Sequence, residues 1–149
     1  MIDQLDELYR DVILDHFRSP RNVGEIAGAE IRAEGTNPLC GDEMTFSIKL
    51  DGEQIQQIQF RGKGCAISQA AASMLTEHLK GKRLHDVSHV IGVMKGLMQG
   101  QDLAPDEDVG DLESLSGVRK FPVRVKCAAL SWNVLEQGLE DYRKRNAEP

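Results

Sequence analysis

The residues with the most chemistry to offer are Cys40 and Asp42, two positions apart in the turn Asn37-Pro38-Leu39-Cys40-Gly41-Asp42, together with the other two cysteines. These are Cys65, in Gly62-Lys63-Gly64-Cys65, and Cys127, in Arg124-Val125-Lys126-Cys127-Ala128-Ala129-Leu130. Pro38 fixes its own φ and Gly41 admits backbone angles that a side chain forbids, so the Cys40 thiol and the Asp42 carboxylate can turn toward one point. That is half of a metal site. Three thiolates and one carboxylate would surround Zn²⁺ as a closed tetrahedral set with net negative charge and no open position for activating water, which argues against hydrolytic chemistry. Such a set suits ligand exchange, in which a freed, unprotonated thiolate becomes a nucleophile toward a persulfide. On the residues alone, a purely structural zinc weighs as much as a functional one, since zinc binding can supply on the order of 10 kcal/mol toward folding. Three unconnected core cysteines are the blandest reading, and a poor one, because each cysteine lies at a loop or element end beside Gly, Pro or charge.

The elements around these residues must bring distant parts of the chain together. Met44 to Leu50 alternates apolar and polar residues, Asp51-Gly52 signals a turn, and Ile55, Ile58 and Phe60 mark a second run, which together predict a β-hairpin. Antiparallel pairing then sets the Cys40 turn, before the first strand, beside the Cys65 loop, after the second. A short edge strand over Ala29 to Glu34 is expected to lead into the Cys40 turn. One-sided alternation calls for an antiparallel sheet with one face on helices, an α+β class with a small sheet of about three strands.

Helical spacing places Leu5, Leu8, Tyr9, Val12, Ile13 and Phe17 on one stripe that ends at Ser19-Pro20. After Gly64, Ile67, Ala70, Ala71, Met74, Leu75 and Leu79 trace a helix closed by Lys80-Gly81, with Cys65 at its N-terminus, where unpaired amides favour a negatively charged sulfur. Another helix spans Leu84 to Met98, and a long C-terminal one opens at Phe121-Pro122, with Leu130, Val134, Leu135, Leu139 and Tyr142 toward the core. If that last helix already runs through Val125, Lys126 points about 100° from Cys127, and Arg124 is better aimed at it. Between these two helices, Gln101 to Lys120 is an acid-rich insertion, a loop or short helix. His16 reads as a packed or surface histidine, and the His85/His89 pair as a solvated face, since no Glu follows His85 as a metalloprotease helix requires. Gly62-Lys63-Gly64 is neither a Walker loop nor a dinucleotide fingerprint.

With 149 residues, the chain fits one domain, 1–149. A net charge of −6 argues against nucleic acid as a partner. The acidic start and the lack of a bilayer-length apolar run argue against a signal peptide or membrane span, so a soluble cytoplasmic protein is expected. There thiols stay reduced, and an odd number of cysteines suits metal or thiol chemistry better than disulfides.

At Asn-Pro-x-Cys-Gly-Asp, Gly-x-Gly-Cys-Ala-Ile-Ser and Arg-Val-x-Cys-Ala the chain resembles the U-type iron–sulfur assembly proteins, nearly end to end. Within that family it leans toward the SufU branch rather than the IscU branch. Lys126 stands where IscU-type proteins carry a histidine before the last cysteine, and they lack an insertion like that over Gln101 to Lys120. The resemblance implies the ligands Cys40, Asp42, Cys65 and Cys127, with Cys40 as the acceptor thiol. It implies a zinc-dependent, sulfurtransferase-like partner of a pyridoxal-phosphate cysteine desulfurase (SufS-like), feeding downstream iron–sulfur assembly proteins. A scaffold holding a transient [2Fe–2S] cluster on the same ligands, or a non-catalytic zinc-stabilised interaction module, are the alternatives. Lys63, Arg124 and Lys126 are the candidate cations around the ligands, and Asp106, Glu107, Asp108 and Asp111 a candidate docking surface for the desulfurase.

Overall fold

The computed structural model describes residues 4–38 and 41–147. The elements are α1 (Gln4–Arg18), β1 (Ile31–Asn37), β2 (Asp42–Asp51), β3 (Gln54–Lys63), α2 (Ala66–Leu79), α3 (Leu84–Met98), a 3-10 helix (Gly110–Val118) and α4 (Pro122–Ala147). The three strands form one antiparallel sheet in the order β1-β2-β3, so the α+β class read from the periodicities is what the chain adopts.

Cross-strand rows build the face that meets the helices. Ala33 pairs with Phe46 and Phe46 with Phe60, while Ile31 pairs with Ile48 and Ile48 with Ile58; all of these side chains are buried. β1 begins two residues later than the sequence suggests and runs on through Gly35, Thr36 and Asn37, because these backbone groups pair with Met44, Glu43 and Asp42. The strand therefore leads directly into the Cys40 turn.

α4 lies against β1 at two positions that exclude a side chain. A Cβ on Gly35 would sit 2.6 Å from Val134 Cγ2, and one on Gly138 would sit 2.6 Å from Ala33 Cβ. This reciprocal fit of small against larger residues fixes the distance between helix and strand, and with it the place of Cys127 relative to the β1–β2 turn. Pro122 occupies the first helical position, where a missing N–H costs nothing.

One element departs from expectation. On α1, Leu8 and Phe17 are 57 % and 43 % exposed, while Ile13 and His16 are buried, so the buried line runs through the imidazole rather than along the full apolar stripe. The insertion, expected as a loop or short helix, holds the 3-10 helix. Val109, Leu112, Leu115 and Val118 recur every third residue and are all buried, the spacing that gives a helix of three residues per turn a single apolar face.

Candidate metal centre

Asp42 opens β2, Cys65 immediately precedes α2, and Cys127 lies in the second turn of α4. The hairpin joins the first two, since Glu43 pairs with Lys63 at the open end of the β2–β3 ladder. The backbone N–H of Cys65 donates to Asp42 Oδ1 at 2.8 Å, and Cys65 Sγ lies 3.8 Å from Oδ2. Gly64 permits this approach: its φ is +150°, and a Cβ there would overlap the Asp42 carboxylate. The requirement for glycine at 64 was hidden in the sequence, where the residue reads only as loop material before a helix.

α4 supplies the third donor. One ligand atom each from Asp42, Cys65 and Cys127 lies within 4.8 Å of the other two. Asp42 is fully buried, Cys127 is 2 % exposed and Cys65 is partly open to solvent. With metal–sulfur bonds of about 2.3 Å and metal–oxygen bonds of about 2.0 Å, the edges of a tetrahedron measure roughly 3.5 to 3.8 Å. The separation between Cys65 and Asp42 already has that length. The donor set and its spacing thus fit one face of a tetrahedral Zn²⁺ site. The α2 N-terminus, with no acidic residue in its first turn, adds an electropositive surround for anionic donors. Cys40, the expected fourth donor, lies outside the described residues. Beside it, Gly41 has φ +70° and open space where a Cβ would stand, so the turn needs glycine for its backbone and not for packing.

The candidate cations are spread around this cluster. α4 runs through Val125, and Arg124 and Lys126 accordingly lie on different sides of it. Arg124 lines a groove with Tyr9, Ile13 and Ile67, whereas Lys126 lines a cavity of about 360 Å³ with Pro38, Asn133 and Gln137. Lys63 is exposed and pairs with Glu43 at 3.5 Å.

The histidines form other contacts. His16 is completely buried, with Nδ1 2.8 Å from Ser73 Oγ and Nε2 2.8 Å from Asp111 Oδ2. A packed or surface histidine was expected, but the acids that join it, Asp111 and Glu77, come from remote segments and left no local spacing to read. His85 pairs with Asp86 at 3.2 Å and His89 with Glu107 at 2.5 Å; both rings are largely exposed, and they address different acids rather than a shared point. Among the acids proposed for docking, Glu107 and Asp111 are thus engaged by histidines of the same chain. Asp108 accepts from the Gly110 N–H, and Asp106 is exposed.

Comparison with known proteins agrees with this architecture. The profile of the NifU-like N-terminal domain matches residues 8–149. The chain is 44% identical to the zinc-dependent sulfurtransferase SufU of Bacillus subtilis (strain 168) over 135 residues, 91% of each chain. It is 35% identical to the iron–sulfur cluster assembly scaffold protein IscU of Streptococcus pyogenes serotype M1 over 147 residues, 99% of this chain and 91% of the relative. Among solved structures, FiSufU of the thermophile Fervidobacterium islandicum AW-1 superposes with a TM-score of 0.81 at 35% identity, over 87% of this chain and 94% of that one.

Proposed function

Because the chain belongs to the NifU-like N-terminal domain family, we propose that it works in iron–sulfur cluster assembly as a zinc-dependent sulfur acceptor from a cysteine desulfurase. The observation that carries this reading is the convergence of Asp42, Cys65 and Cys127 beside the turn that holds Cys40. Two residues of chain span at most about 7 Å, so the Cys40 backbone is tied within reach of Asp42 by covalent geometry alone. The likeness to a zinc-dependent sulfurtransferase and the lysine at 126 support the acceptor role over the scaffold role.

In this reading Asp42, Cys65, Cys127 and Cys40 would hold the zinc, which would keep the thiols in their reactive, unprotonated form. Cys40 attacks the terminal sulfur of a persulfide on the desulfurase cysteine. A sulfur–sulfur bond forms at Cys40 Sγ as the donor's sulfur–sulfur bond breaks, and the electron pair stays on the donor as its thiolate. No external oxidant or reductant enters, and the terminal sulfur remains at the same oxidation level. The chain's own contribution is positional. Asp42 is buried and anchored to the Cys65 N–H, Cys127 is fixed on a packed helix, and Cys40 falls between Pro38 and Gly41 in the sequence.

The likeness to an IscU scaffold supports a second reading, in which the same four residues hold a [2Fe–2S] cluster. Metal analysis combined with desulfurase turnover, with and without this protein, separates the readings. Stoichiometric zinc with several-fold faster turnover is the expected result. Zinc without any rate increase would leave an interaction module, and cluster absorbance transferable to an apoprotein would favour the scaffold.

A further inference from the structure

The 3-10 helix is held to the body of the protein by a buried polar contact that the metal centre does not use. An ionised carboxylate can only accept, so His16 Nε2–H donates to Asp111 Oδ2 at 2.8 Å, while Nδ1 lies 2.8 Å from Ser73 Oγ, which also accepts from the Arg21 N–H at 2.9 Å. Three segments meet there: α1 through His16, α2 through Ser73 and the 3-10 helix through Asp111. Glu77 stands 3.9 Å from His16 Nε2, with Arg21 Nε 3.6 Å from its other oxygen. Both ring nitrogens of His16 are met by protein groups.

The same two elements, α1 and the 3-10 helix, both line a groove of about 450 Å³. Tyr9 and Ile13 of α1 and Val118 of the 3-10 helix share it with Ala66, Phe121 and Arg124. Its lining adjoins two of the candidate ligands along the chain, since Ala66 follows Cys65 and Arg124 lies one helical turn before Cys127. A 3-10 helix has poor hydrogen-bond geometry and little stability of its own, so anchors to its surroundings decide where it lies. Its end also runs straight into α4: Phe121 N–H donates to Val118 O at 2.9 Å, and Val125 N–H to Phe121 O at 3.0 Å. Movement of Asp111 away from His16 is therefore passed to the groove wall and to the first turn of α4.

We infer that His16 is a positioning residue, and that its bond to Asp111 latches the inserted helix so that the groove and Arg124 keep the shape on which the desulfurase is received. This rests on the sulfur-acceptor reading. The latch adds no group to the reaction; it sets how well the partner is bound.

The test uses Asp111→Ala and Asp111→Asn, because the Asp111 side chain is half-exposed and its loss leaves no core cavity. Asparagine keeps an oxygen that can accept from His16 Nε2–H, whereas alanine does not. Desulfurase turnover is measured against the concentration of each zinc-loaded protein, and amide hydrogen exchange over residues 110–121 is measured on each protein alone. Asp111→Ala should raise the half-saturating concentration about tenfold with the maximal rate within twofold, and should speed exchange over 110–121; Asp111→Asn should restore both. An unchanged half-saturating concentration in Asp111→Ala overturns the inference, even with a lower Tm, because the bond would then be only structural. Failure of Asp111→Asn to rescue, with parental exchange in all three proteins, overturns it in favour of direct contact between Asp111 and the partner. A second equivalent of Mn²⁺ bound by the parent and lost in Asp111→Ala overturns it in favour of a metal site. If the parent itself does not stimulate the desulfurase, the acceptor reading is what fails; the exchange result still reports on the latch.

Discussion

Among the described residues, two clusters bring metal-ligating residue types from three distant segments to one point, Asp42–Cys65–Cys127 and His16–Glu77–Asp111. They differ in how their charge is met. In the first, a fully buried carboxylate accepts from one backbone N–H and faces two sulfur atoms, and among the described residues no side-chain cation pairs with it. In the second, the carboxylates are half-exposed, both imidazole nitrogens have partners, and Arg21 stands beside Glu77. Buried charge is costly unless compensated, so the first arrangement calls for a cation and the second already works as a joint. Residue type alone does not distinguish a metal site from a clamp; the unmet charge does.

The comparison can be broken most sharply by removing metal. Chelation of the zinc-loaded protein should cost stability on the order of 10 kcal/mol at most, read as a large fall in Tm, and Asp111→Ala should leave the size of that fall unchanged. Equal Tm values for the apo and loaded proteins would show that the first cluster is as self-sufficient as the second. Next in size, Cys40→Ala should lower sulfur acceptance by at least about 100-fold in a protein that stays folded, since it removes the nucleophile. Mass spectrometry after incubation with desulfurase and cysteine is the assay, and a full persulfide adduct on the variant would assign the acceptor to Cys65 or Cys127.

Gly64→Ala tests the carboxylate anchor. Overlap with Asp42 and an unfavourable φ should together cost about 2 to 4 kcal/mol in denaturant unfolding and weaken zinc retention. Parental stability and zinc retention would mean that the Cys65 N–H to Asp42 bond is dispensable. Asp42→Cys replaces the one hard donor by a softer one, and should hold zinc about tenfold more tightly in chelator competition while accepting sulfur more slowly. Tighter binding at parental speed would show that Asp42 does not set the ease of exchange.

The smallest effect belongs to His78, near Gly110 of the insertion. Burial, aided by Lys82, holds its imidazole below the ordinary value of 6.5, against the opposing pull of Asp108 and Glu107. The unfolded chain then binds the proton more readily than the folded one. This histidine's effect on stability is therefore absent well above 6.5 and appears as a loss when pH falls through 6.5 toward the depressed value. His78→Gln should flatten the pH dependence of Tm in that window, and an unchanged slope would assign the dependence to other groups.

Much of the frame was legible because local signals agreed. Asp51-Gly52 between alternating runs placed the hairpin, and Lys80-Gly81 closed α2 where Gly81 takes φ +87°. The meeting of Asp42 and Cys65 was legible through the hairpin's geometry, and Cys127 was singled out by its residue type. What stayed hidden depends on partners far along the chain. β1 extends to Asn37 because β2 is there to pair with it, and His16 is buried because Ser73 and Asp111 satisfy its nitrogens. The 3-10 helix did carry a signal, apolar residues at every third position from Val109 to Val118, but it falls outside the periods of α-helix and strand.

The hydrogen bond from Cys65 N–H to Asp42 Oδ1 also has a consequence in time. It joins positions 23 apart across a hairpin whose ladder already holds their strands, so little further loop is closed. On the zinc reading, Asp42 and Cys65 would be set together by the hairpin alone, whereas Cys127 needs α4 from the far end of the chain, so the rate of metal loading should follow the docking of that helix rather than the folding of the sheet.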